Sequence, residues 1–113
     1  MQERILAICD PTDKTWVEKL RESSAVSLII DTVGEKQVEK VCTYEYDVIL
    51  LDAGAVENAP KFVRHLRLNW PRANIIVVTS SPDWNLARQC YMAGASDYVS
   101  KFFAGEAVRS AVF

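Results

Sequence analysis

Apolar residues along this chain fall into short continuous runs, separated by longer stretches in which they recur every three to four positions. The runs are Arg4–Cys9, Ala25–Ile30, Asp47–Leu51, Asn74–Val78 and Asp97–Ser100. Runs of this length between turn formers read as strands, and unbroken apolar character suits burial on both faces. The intervening periodicity reads as helices. Pro11-Thr12-Asp13 caps a first helix running to about Ser24, with Trp16, Val17 and Leu20 as its stripe. Gly34 opens a second, carrying Val38, Val41 and Cys42 at i, i+3 and i+4. Asn58-Ala59-Pro60 enters a third, with Phe62, Leu66 and Trp70 on one face and Pro71 stopping it. Ser81-Pro82 starts a fourth, which Gly94 ends as a left-handed cap, and Gly105–Phe113 begins a fifth. The fifth stops on apolar residues without a cap, so a truncated last helix is expected. Strict alternation of strand and helix predicts an α/β fold on a parallel sheet.

Four of the strands run into polar residues: Asp10, Asp52, Thr79 and Lys101. Parallel strands bring their ends to one carboxyl edge, where open α/β sheets bind ligands. Two acids, a hydroxyl and an amine gathered there could hold a divalent cation and a phosphoryl group.

The chain has 113 residues, half of them apolar and a quarter charged, which predicts one domain over residues 1–113 with a buried core. Its net charge of −2 gives no reason to expect nucleic-acid or membrane attraction. Cys9, Cys42 and Cys90 are odd in number and lack metal or disulfide spacing, so they read as buried thiols of a reducing compartment. No apolar stretch approaches a membrane span and the charged N-terminus does not resemble a secretion signal, so a cytoplasmic location is expected.

Three stretches are more specific. Asp47-Val-Ile-Leu-Leu-Asp52, Ile75-Ile-Val-Val-Thr79 and Ala93-Gly-Ala-Ser-Asp-Tyr-Val-Ser-Lys101 resemble, in order and spacing, the signature segments of bacterial response-regulator receiver domains. The resemblance implies a flavodoxin-like, doubly wound five-stranded parallel sheet in the order 2-1-3-4-5, with five helices. It implies a signalling module of two-component systems, not an enzyme. Asp52 would accept phosphate from a sensor histidine kinase or phosphotransfer protein. Asp10, Asp52 and the backbone carbonyl of Gly54 would hold Mg²⁺. Lys101 would pair with the carboxylate and then with the phosphoryl oxygens, and Thr79 would donate its hydroxyl to the phosphoryl group. Tyr98, three residues before Lys101, would be a switch aromatic coupled to Thr79. The fourth helix, fifth strand and fifth helix would change their surface, a face suited to a homodimer, and an output domain would follow residue 113.

The chain departs from the family at three places. Cys9 stands where an acidic pair usually begins, so weaker metal binding is expected. Residues 53–60 lack the usual proline and glycine placement, and Phe102 follows the lysine in place of proline. These departures set the alternative: a pseudo-receiver, binding protein partners without a phosphoryl cycle. A flavin-binding fold would want a glycine-rich phosphate loop, whereas Cys9-Asp-Pro-Thr-Asp13 has no glycine and an extra acid. The Lys101–Phe102 bond is expected to be trans. His65 is expected to be a solvated helix residue. Trp84 either packs over a neighbouring loop or serves a partner contact, because with Ala87 and Tyr91 it widens the fourth helix's apolar arc.

Overall fold

The computed structural model describes residues 3–23 and 28–112. Its strands are β1 (Glu3–Ile8), β2 (Leu28–Val33), β3 (Val48–Asp52), β4 (Asn74–Thr79) and β5 (Asp97–Ser100). The helices are α1 (Thr15–Ser23), α2 (Glu35–Val41, wound as 3-10), α3 (Ala59–Asn69), α4 (Trp84–Ala93) and α5 (Ala104–Val112). The five strands form one sheet in the order β2-β1-β3-β4-β5, and every pairing is parallel.

Period-two alternation splits the core into two layers. Leu6, Ile8, Ile49, Leu51, Ile75 and Val77 face Val63 and Leu66 of α3 and Cys90 of α4. Ile5, Ala7, Val48, Leu50, Ile76 and Val78 face Trp16, Val17 and Leu20 of α1 and Ala107 and Val108 of α5. Both faces of the inner strands are therefore buried, which is why their sequences read as unbroken apolar runs. Trp16 and Trp70 both sit in this core.

Several boundaries differ from the sequence expectation. Residues 25–27 of the expected second strand lie outside the described residues, and β2 runs on through Asp31 and Thr32 to Val33. It is an edge strand, with Ile29 exposed, so it is not buried on both faces. Asp31 is accommodated there by two donors, Arg4 at 3.2 Å and the Tyr46 hydroxyl at 2.8 Å. The tight winding of α2 leaves Val38 as its one buried residue and Cys42 only partly covered. The first helix begins later than expected, because residues 10–13 form a turn in which the Asp13 N–H donates to the Asp10 carbonyl. The cap of α4 is Asp83, whose Oδ1 accepts from the N–H groups of Asn85 and Leu86. Gly94 ends that helix at φ +118°, the left-handed conformation that only glycine adopts without strain. Arg67 at the end of α3 locks this corner. Its guanidinium donates to the Gly94 carbonyl at 2.7 and 3.2 Å and to the Ala73 carbonyl at 2.6 Å.

Candidate functional site

Strand pairing decides which chemistry meets at the carboxyl edge. Asp52 pairs with Val78 and Thr79 with Ser100, so β3, β4 and β5 end side by side. Asp52 is almost fully buried there. Its Oδ1 accepts from the Gly54 N–H at 3.0 Å, within the tight turn Ala53–Ala55. Its Oδ2 lies 2.9 Å from the Lys101 ammonium. Lys101 reaches in from a single 3-10 turn, Lys101–Phe103, held by the Phe102 N–H donating to the Ser100 hydroxyl oxygen. No cis peptide bond occurs among the described residues, so the Lys101–Phe102 bond is trans and the lysine still reaches Asp52. Phe102 itself is exposed.

Asp13, which its local sequence offers only as a helix cap, also meets Lys101. Asp13 Oδ2 accepts from the same ammonium at 2.6 Å. The signal was an acid left over in the loop after β1, at the edge where the other candidates converge. Burial disfavours the charged amine. The hydrogen bonds to Asp13 and Asp52, together with their charges, outweigh that effect and hold the Lys101 pKa above its ordinary value.

Asp10 points outward. Its Oδ1 accepts from the Thr12 N–H at 2.9 Å and the Thr12 hydroxyl at 2.7 Å. Those two bonds, with a smaller contribution from the Lys101 charge, hold its pKa below the usual carboxylate value. The preceding Cys9 is buried in the α1–α5 layer. Its thiol pKa is raised by burial, and by the charges of Asp52, Asp10 and Asp13 working against that of Lys14. A protonated, buried thiol is neither nucleophile nor metal ligand at neutral pH.

Thr79 is buried at the end of β4, and its Oγ1 accepts from the Ser81 N–H at 3.1 Å. The hydroxyl proton therefore remains free to be donated. Tyr98 is partly buried against the α3–α4 layer, and its hydroxyl oxygen accepts from the Asp83 N–H at 3.3 Å. The loop from Thr79 to Asp83 is thus held at one end by Thr79 and at the other by Tyr98. His65 stands apart from this edge, 3.0 Å from Glu39 on the rim of α3.

Among the described residues, no three His, Cys, Asp or Glu side chains converge as a metal-binding cluster. Asp10 and Asp52 offer only oxygen, and two carboxylates with a backbone carbonyl suit a hard cation that keeps part of its water shell. The chemistry of this donor set suits such an ion, and Lys101 partly neutralises Asp52.

A family profile for the response regulator receiver domain matches residues 14–113, beginning after β1 and Asp10. The fold also matches solved structures. One is a response regulator from Burkholderia pseudomallei with a phosphorylated aspartic acid, a calcium ion and citrate. It has a TM-score of 0.80 and 19% identity, and the match covers 98% of this chain and 66% of that one. A second is a response regulator from Thermotoga maritima, with TM-score 0.77 and 16% identity over 99% of this chain and 98% of that one. A third, the Mn²⁺-bound form of response regulator Rcp1, has TM-score 0.69 and 14% identity over 87% and 80%. This chain thus spans slightly less than two thirds of the Burkholderia protein. A comparison with curated proteins gave no significant match. No described helix is long and apolar enough to cross a membrane. With the profile covering most of its length, the chain belongs to the response-regulator receiver domain family of two-component systems.

Proposed function

We propose that residues 1–113 form a single phosphoacceptor receiver, in which Asp52 takes a phosphoryl group from a phosphohistidine of a sensor kinase or phosphotransfer protein. The observation that carries this reading is the buried Asp52 carboxylate bonded at 2.9 Å to Lys101. A buried carboxylate with its own cation is oriented and partly neutralised, as attack on an anionic phosphoryl group requires. In the transfer, an Asp52 oxygen bonds to phosphorus while the bond from phosphorus to the donor nitrogen breaks, and the imidazole leaves with that electron pair.

Asp10, Asp52 and the Gly54 carbonyl would hold Mg²⁺, which supplies the remaining charge neutralisation when bound. Lys101 then turns from carboxylate to phosphoryl oxygen, and Thr79 donates the proton that its bond from Ser81 leaves free. Drawing Thr79 toward the phosphoryl group pulls on the loop whose far end rests on Tyr98, so the Tyr98 ring and the start of α4 respond. The face formed by α4, β5 and α5 is proposed as the output surface and homodimer interface. Trp84 is 85% exposed and Met92 77% exposed, so Trp84 does not pack over a neighbouring loop, which favours its contact role.

The second reading, a pseudo-receiver, is favoured by Cys9, because an apolar packing residue occupies a position beside the acids. Incubation with acetyl phosphate and millimolar Mg²⁺, followed by intact-mass measurement, separates the two. One added phosphoryl group, lost on Asp52→Asn and on chelation, is expected. A folded protein that stays unlabelled would establish the pseudo-receiver.

A further inference from the structure

We propose that Asp13 is a positioning residue that holds Lys101 against loading and slows phosphorylation of Asp52. This regulation rests on Asp52 being the phosphoacceptor. The Lys101 ammonium lies closer to Asp13, at 2.6 Å, than to Asp52, at 2.9 Å. An ammonium has three N–H donors. Here one is donated to Asp13 while the ammonium is also ion-paired with Asp52, and an incoming phosphoryl group brings three strong acceptor oxygens and a charge of about −1.5 to −2. Lys101 serves that group fully only by giving up Asp13.

The surroundings make Asp13 the partner to be released. Asp52 is fixed by its strand and by the Gly54 N–H. Asp13 lies in the loop before α1 starts at Thr15, its side chain 51% exposed, with its backbone tied to Asp10. Half in water, Asp13 is rehydrated on leaving, so its side of the pair is the cheaper one to break. The bond is therefore strong enough to bias Lys101 and weak enough for phosphate to displace. Asp13 also adds a third carboxylate near one amine, which repels an anionic donor. Both effects slow loading, and both weaken when the charge at position 13 is removed.

The test compares wild type, Asp13→Asn and Asp13→Glu in full-length protein, with acetyl phosphate and Mg²⁺ as the probe. Asp13→Asn is expected to label about two- to fivefold faster, the rate equivalent of an exposed ion pair, and Asp13→Glu to restore slow labelling. Added salt should narrow the gap between wild type and Asp13→Asn, because an exposed pair is screened, whereas a purely structural role would leave the gap independent of salt. Label in wild type with no acceleration in Asp13→Asn overturns the proposal and leaves Asp52 as acceptor. Slower labelling with a tenfold or greater loss of Mg²⁺ affinity by calorimetry overturns it in favour of Asp13 holding the cation. Absence of label in all three folded proteins defeats the phosphoacceptor reading itself, and this proposal with it.

Discussion

Replacing Lys101 with methionine keeps most of the side chain's bulk and removes its charge. Asp52, whose side chain is 3% exposed, would then keep only the Gly54 N–H on Oδ1. Breaking a fully buried ion pair costs about 3–5 kcal/mol, and an exposed pair contributes about 0–1 kcal/mol. The Lys101 side chain is 15% exposed, so this pair lies between those limits. A loss of about 1–3 kcal/mol is expected, the cost of leaving one buried polar group unpaired. Urea unfolding followed by tryptophan fluorescence measures it, because Trp16 and Trp70 are both buried. In thermal unfolding each kcal/mol would appear as roughly 4–8 °C. The same substitution made on Asp52→Asn should cost less than about 1 kcal/mol, since only the Asp13 pair remains to be lost. Equal losses in the two backgrounds would refute the argument, because Lys101 would then act by packing alone. The pH dependence gives a second check. A lysine whose folded pKa is raised contributes stability in full below its unfolded value, near 10.5, and loses it as pH rises through the folded value. Wild type should therefore lose stability above about pH 10.5 to an extent that Lys101→Met does not.

Tyr98→Phe removes the acceptor for the Asp83 N–H. It is expected to cost about 0.5–1.5 kcal/mol and to speed hydrogen exchange at Asp83 and the first turn of α4; unchanged exchange there would sever the link between Tyr98 and the loop. Cys9→Asp places a carboxylate in an apolar layer where Cys9 is 2% exposed. It should lower stability by about 1–3 kcal/mol while tightening Mg²⁺ binding, so millimolar Mg²⁺ should recover part of the loss. A melting temperature for that variant insensitive to Mg²⁺ would show that position 9 does not face the cation.

The inner strands were legible because both their faces are buried, so Val48–Leu51 and Ile75–Val78 spell themselves out as apolar runs. The ends of α3 and α4 were legible where local chemistry decides them, at Asn58 and Gly94. The end of β2 was not, because Asp31 is a strand residue only by virtue of Arg4 and Tyr46, which are distant in sequence. The 3-10 winding of α2 has no signature distinct from that of a helix turn. Asp13 looks locally like a cap because its partner Lys101 lies 88 residues away, and no local pattern links the two.

The Arg67 clamp gives α4 the mechanics of a lever pinned at one end. At Gly94 two charge-assisted bonds of 2.7 and 3.2 Å from a planar guanidinium resist both translation and twist. At Asp83 the tie to the neighbouring strand is a neutral bond of 3.3 Å to a tyrosine hydroxyl, backed by the packing of Leu86 and Ala87. The helix is ten residues long, about 15 Å, so a displacement of about 1 Å at the loose end corresponds to a tilt of about 4° about Gly94. Under such a swing Trp84, at the tip, travels farthest, while Met92, beside the pivot, scarcely moves. A partner gripping the tip would sense the state of the carboxyl edge, and one gripping the pivot would be blind to it.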